Sequence, residues 1–128
     1  MLQDYKIHCE ERNEQGIPPL PLSAQQTSDL VELLKSEHAE SELLLELLKE
    51  RIPAGVDQAA YVKAGFLADI TTDKTNSPYI SKQEAVMILG TMLGGYNIQP
   101  LIKCLKNDEL GEVAANALST TLLIFDAF

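Results

Sequence analysis

His8 with Cys9, His38 beside Glu37 and Glu40, and the carboxylate pairs Glu10/Glu14 and Glu42/Glu46 are the residues whose types could do chemistry. An imidazole beside a thiolate or carboxylates is a transition-metal donor set, and two carboxylates on one helix face suit acid–base work. Adjacent His8 and Cys9 nevertheless point about 100° apart on a helix, a poor geometry for sharing an ion. A metal-sensing module using His8, Cys9 and surface carboxylates is therefore weaker than solvated histidines. The carboxylate pairs read as wet helix faces, because the sequence shows no apolar pocket that would raise one pKa. Ser119, Thr120 and Thr121 have no nearby His to activate them. Cys9 and Cys104 lack a C-x-x-C partner, so neither a disulfide framework nor a zinc or iron–sulfur site can be written from them. They are expected to be reduced, buried thiols. No catalytic, cofactor-binding or metal-ligating residue is assigned.

The stretch "LGGYNIQPLI", residues 93–102, raises the other chemical question, whether its glycines cradle a phosphate. Such loops follow a strand, and the P-loop ends in Lys-Ser/Thr, whereas Gly94 and Gly95 follow a helical pattern with no Lys behind them. The turn reads instead as a corner between helices, with glycine as the left-handed stop, Asn97 as cap of the next helix and Pro100 in its first turn. Gly94, Gly95, Tyr96 and Asn97 form the candidate interaction corner, with Tyr96 and exposed backbone available to a partner.

The elements that must position this corner are all helical. Residues 2–15 predict a surface helix with Leu2, Tyr5 and Cys9 as a narrow apolar stripe and Gly16 as its stop. "GIPPLPL" holds three prolines in seven residues and must be extended, with Leu20 and Leu22 packing on the chain's own core. Ser23 and Gln26 make a capping box before Leu30, Val31, Leu33 and Leu34. After a polar turn at 36–41, Leu43, Leu44, Leu45, Leu47 and Leu48 cover most of a second helix, which must be sandwiched. "IPAGVD" turns the chain, with Gly55 in the turn and Asp57 as N-cap. A helix carrying Ala60, Val62, Ala64, Phe66, Leu67 and Ile70 follows. "TTDKTNSPYI" is a polar loop. Ser81 and Glu84 form a second capping box before Ala85, Ile88, Leu89, Met92 and Leu93. No strand pattern is present.

Length and charge bound the rest. A chain of 128 residues fits one domain, 1–128, with a single core. Its apolar runs fall far short of the roughly 20 residues that span a bilayer, and "MLQDYKIHCEER" lacks the form of a secretory signal, so a cytoplasmic protein is expected. Ten basic against 19 acidic residues give a net charge of −9, which opposes nucleic-acid affinity. The deficit is spread along the chain: residues 1–64 hold 6 basic and 12 acidic side chains, and residues 65–128 hold 4 and 7.

The segment "IQPLIKCLKNDELGEVAANALSTTLL" has a Pro-Leu start, a Leu-rich helix and an Asn-Asp turn. Val113, Ala114, Ala117, Leu118, Thr121, Leu122 and Phe125 then share a face, which resembles a HEAT repeat. With hairpins at 30–48 and 58–93, the expected fold is all-α, a HEAT-like right-handed stack of antiparallel helix pairs with about seven helices.

"GIPPLPLSAQQTSDLVELLK", "RIPAGVDQAAYVKAGFLADI", "SPYISKQEAVMILGTMLGGYNIQPLI" and "ALSTTLLIFDAF" together resemble the N-terminal HEAT-like domain of the bacterial aconitase B (aconitate hydratase B) family, across nearly all 128 residues. The resemblance implies a much longer parent, in which this domain precedes a swivelling domain and the catalytic domains. That parent is a lyase of the tricarboxylic acid cycle that interconverts citrate and isocitrate through cis-aconitate, using a 4Fe-4S cluster. The family's cluster-ligating cysteines and substrate-binding residues would lie beyond Phe128, so this segment holds no cofactor or catalytic residue of its own. The apolar ending "LLIFDAF" without a C-cap reads as a domain cut from that longer chain. The implied partners are the catalytic and swivelling domains of the same chain, a second protomer in a homodimer, and RNA bound secondarily by the cluster-free parent. No membrane partner is implied. The alternative is a freestanding HEAT-like adaptor for an unrelated protein.

Overall fold

The computed structural model describes residues 2–53, 57–92 and 95–126, with backbone alone from residue 120 onward. Seven helices follow one another among the described residues: α1 (Leu2–Glu14), α2 (Ala24–Leu34), α3 (Ser41–Glu50), α4 (Gln58–Thr71), α5 (Lys82–Gly90), α6 (Ile98–Cys104) and α7 (Gly111–Asp126). The fold is all-α. Its single β feature among those residues is an isolated bridge between Ser77 and Ile80. The expected roles of Gly55, Leu93, Thr121, Leu122 and Phe125 lie outside what is described.

Local chemistry sets the starts of α2, α4 and α5. Ser23 closes a complete capping box: its hydroxyl accepts the Gln26 N–H at 3.1 Å, and its own N–H donates to Gln26 Oε1 at 2.9 Å. Asp57 accepts the Ala59 N–H at 2.8 Å. Ser81 accepts the Glu84 N–H, but its hydroxyl rather than its backbone N–H meets the Glu84 carboxylate, so only half of that expected box forms. Gly16 adopts φ +70°, the left-handed stop expected after α1.

The helices pair as α2/α3, α4/α5 and α6/α7. Between the pairs, α2 packs on α4 and α5 packs on α7. This order is compatible with a stack of helical hairpins. Leu30, Leu34, Leu44, Leu48, Leu67, Leu89, Leu101 and Leu110 are completely buried in one continuous core. At the α5–α7 crossing the backbones come so close that a Cβ on Gly90 would sit 2.7 Å from Ala117 Cβ. Glycine is required there by close approach.

The proline segment is fastened by side chains, because its prolines donate nothing and its carbonyls lack a ladder. Arg12 Nε donates to the Pro18 carbonyl at 2.9 Å, Arg51 donates to the Pro19 carbonyl at 2.7 Å, and the Leu20 N–H donates to His8 Nε2 at 3.0 Å. Leu22 is buried as expected, but Leu20 is 53% exposed and does not pack on the core. Lys6 of α1 pairs with Glu40 at the start of α3. Tyr79 bridges the α4–α5 loop to the α2–α3 turn, its hydroxyl accepting the His38 N–H at 2.6 Å and donating to the His38 carbonyl at 3.1 Å.

Two further expectations are corrected. On α3, Leu44, Leu47 and Leu48 are buried while Leu43 and Leu45 are half-buried, so the helix is covered along one broad face and not around its circumference. Helix α5 stops at Gly90 and does not run on to Leu93. The Thr91 hydroxyl and N–H both turn back to the Ile88 carbonyl, at 2.7 and 3.0 Å, and tighten the last turn.

Leu47, 2% exposed between α3 and its neighbours, tests the burial directly. Leu47→Ala should lower the unfolding free energy by about 2 to 5 kcal/mol in a urea titration, and an unmoved midpoint would refute its placement.

Candidate functional site

The α5–α6 corner contains the four residues singled out by sequence, and the structure gives them different parts. Gly94 lies outside the described residues. Gly95 has φ +95°, a conformation that L side chains rarely adopt, and supplies the reversal. Asn97 stands at the N-cap position just before α6, but its side chain does not cap the helix; it is fully buried and points back at the preceding helix. There the amide nitrogen donates to the Leu89 carbonyl at 2.6 Å, which also accepts the Met92 N–H at 3.1 Å, and to the Met92 carbonyl at 3.2 Å, just beyond the end of α5. Asn97 is thus the pin of the corner and offers no surface to a partner.

Pinning the corner brings Tyr96 over α4. Its ring meets Tyr61 edge to face, with centroids 5.4 Å apart and planes at 77°, the arrangement favoured by aromatic quadrupoles. Tyr61 is 59% exposed. The pair forms one wall of a groove of about 360 Å³ whose lining includes Val31, Gly65, Phe66 and Pro100, with Lys35 and Asp69 adding one charge of each sign. Gly65 leaves the floor open: a Cβ built there meets nothing within 4 Å. An exposed tyrosine packed against a half-buried one over an open apolar floor is the composition of a protein-contact surface.

Tyr61 and Gly65 were missed in the sequence because neither belongs to the apolar stripe of α4. An aromatic residue off that stripe was the available signal. Lys63 was missed as well, although it falls three residues after Ala60 and four before Leu67, on the face that must be buried. It is 6% exposed, and burial lowers its pKa from 10.5 to about 8, an effect partly opposed by the charge of Glu50.

The other candidate groups remain apart. His8 Nε2 accepts the Leu20 N–H and His38 Nδ1 accepts the Glu40 N–H, so these lone pairs already serve backbone. Among the described residues no three His, Cys, Asp or Glu side chains converge as metal ligands would. Cys104 is buried, whereas Cys9 is only half-buried. No helix among the described residues is long and apolar enough to cross a membrane.

Residues 4–128 match the family model described as the aconitate B N-terminal domain. The chain belongs to that family. Aconitate hydratase B of Synechocystis sp. is 56% identical over 131 aligned residues, that of Pseudomonas aeruginosa 55% over 129, and that of Escherichia coli 54% over 129, each covering 100% of the chain. The chain spans 15% of the length of these relatives. The iron–sulfur cluster that the aconitase family uses does not fit this segment. Such clusters take about four thiolates, and the chain holds two cysteines in all, on separate helices.

Two outcomes follow for this aconitase B domain. Asn97→Ala should cost about 1 to 3 kcal/mol in chemical denaturation, because the Met92 carbonyl loses the amide as a donor and the Leu89 carbonyl is left with the Met92 N–H; an unchanged stability would show that the corner needs no pin. Lys63 binds its proton less tightly folded than unfolded, so between pH 8 and 10.5 the unfolded chain holds more protons and stability rises with pH. In the 128-residue chain, the penalty is fully present below about pH 8. Lys63→Met should therefore be more stable than wild type by up to about 3 kcal/mol at pH 7, the difference fading towards pH 10.5. A difference independent of pH would contradict the burial of this charge.

Proposed function

We propose that the chain is a single, non-catalytic interaction domain of a cytoplasmic aconitate hydratase, and that its Tyr61–Tyr96 groove receives the remainder of the same enzyme. The groove carries the reading, being apolar, open and built by a pinned corner. The names of the relatives, and the 15% of their length that the chain spans, support a larger enzyme as the setting. That enzyme would interconvert citrate and isocitrate through cis-aconitate, with its 4Fe-4S cluster held by residues outside this segment. The role of this chain would be steric and associative: a rigid helical layer docks on the catalytic part and shapes access to it without donating a reacting group. A net charge of −9 favours protein over RNA as what the domain touches.

Filling the groove tests this. In the native-length protein, reconstituted with iron and sulfide, Gly65→Leu should place a side chain on the open floor and lower cis-aconitate formation from citrate by roughly five- to tenfold, a loss of about 1 to 1.4 kcal/mol in transition-state stabilisation. Limited proteolysis between this domain and the rest should accelerate in parallel. Unchanged activity and an unchanged cleavage pattern, with the leucine variant folded, would remove the groove as the docking surface.

A further inference from the structure

We propose that a second cavity, on the opposite face of α4 from the tyrosine groove, is a binding site for a carboxylate carried on an aliphatic stem, with the Lys63 ammonium as its counter-ion. The cavity has a volume of about 150 Å³ and is lined by Lys49, Ile52, Pro53, Ala60, Lys63, Thr91 and Met92. On a helical wheel Ala60 and Lys63 lie roughly opposite Tyr61, Gly65 and Ala68, so the two sites share a helix and no surface.

Lys63 is the anomaly that points to a ligand. It is more than nine-tenths buried, and among the described residues it has neither a hydrogen bond nor an ion pair; the ion pairs there are Lys6–Glu40, Glu32–Lys35 and Asp73–Lys82. Glu50 acts on it through space without coming within pairing distance. Its nitrogen keeps a little contact with solvent, since the fully enclosed side-chain atoms without a partner among the described residues are Arg51 Nε and Asn97 Oδ1, but an ammonium stripped of most of its water is costly, and an arriving anion would relieve that cost.

The walls select among anions. The cavity opens where α3 and α5 end, at Ile52 and Pro53 after one and at Thr91 and Met92 after the other. Helix C-termini carry partial negative charge, which disfavours a dianionic phosphate, and no arginine lines the cavity to offset it. A monoanionic carboxylate matches one buried lysine, with exposed Lys49 at the wall. Ile52, Pro53, Ala60 and Met92 suit the methylenes of a glutamate side chain or a short aliphatic acid.

The test uses the native-length protein and reads Lys63 by peptide mass spectrometry, with exposed Lys103 and Lys106 as references. Zero-length carbodiimide coupling should join Lys63 to an aspartate or glutamate other than Glu50 if the carboxylate is a side chain. If it is a free acid, butyrate should slow amine labelling of Lys63 by about tenfold, as a tenfold rise in its proton affinity requires, while phosphate or chloride at equal ionic strength should not. Either result supports the site and names its source. Coupling confined to Glu50 together with labelling indifferent to butyrate, or slowed equally by phosphate, would overturn it. Neither readout depends on the tyrosine groove, so the two proposals fail separately.

Discussion

Helix α4 is packed on two sides, by α2 and by α5, and this double burial is the constraint on which the fold depends. A helix can be approached closely from both sides only where its side chains are small, and α4 supplies Ala59, Ala60 and Ala64 for that purpose. Phe66, Leu67 and Ile70 then fill the space where the helices diverge. The same solution recurs one layer on, where Ala85 and Gly90 of α5 admit Ala114 and Ala117 of α7. Added volume at the crossing cannot be absorbed locally, because a Cβ on Gly90 would already sit 2.7 Å from the Ala117 side chain and 3.3 Å from its backbone. Both candidate sites inherit their geometry from α4. Its Tyr61–Ala68 strip walls the groove, and Lys63 projects into the cavity on the other face.

What could be read from the sequence was what is local. Ser23, Ser81 and Asp57 announce helix starts because a cap satisfies backbone donors two or three residues away. The leucine faces of α2 and α3 follow from periodicity alone. Asn97 failed as a predicted cap because its side chain had a choice between the helix it begins and the carbonyls of the one before. Burial of Leu89 and Met92 decided for the latter. The end of α5 was misplaced for a related reason: continuation to Leu93 satisfies periodicity, but the crossing with α7 and the return of Thr91 to Ile88 stop it earlier. The groove was beyond sequence reasoning altogether, since Val31, Tyr61 and Tyr96 meet only after three helices have packed.

The charge distribution bears on how a carboxylate could reach Lys63. The chain carries a net −9, and an acidic partner is repelled once it comes within about 8 Å, the screening length at physiological salt, beyond which the repulsion is largely screened. Inside the cavity the balance reverses, because a poorly hydrated ammonium interacts with a carboxylate through less water and less salt. Such a site gains little from electrostatic steering and much from any tether that raises the local concentration of its ligand. An acidic side chain elsewhere on the same long polypeptide is tethered in this sense, whereas a free acid must be abundant. The physics therefore leans towards an internal occupant. The apolar groove and the lysine cavity would then be two contacts on opposite faces of one helix, the first providing area and the second fixing register through a single charge.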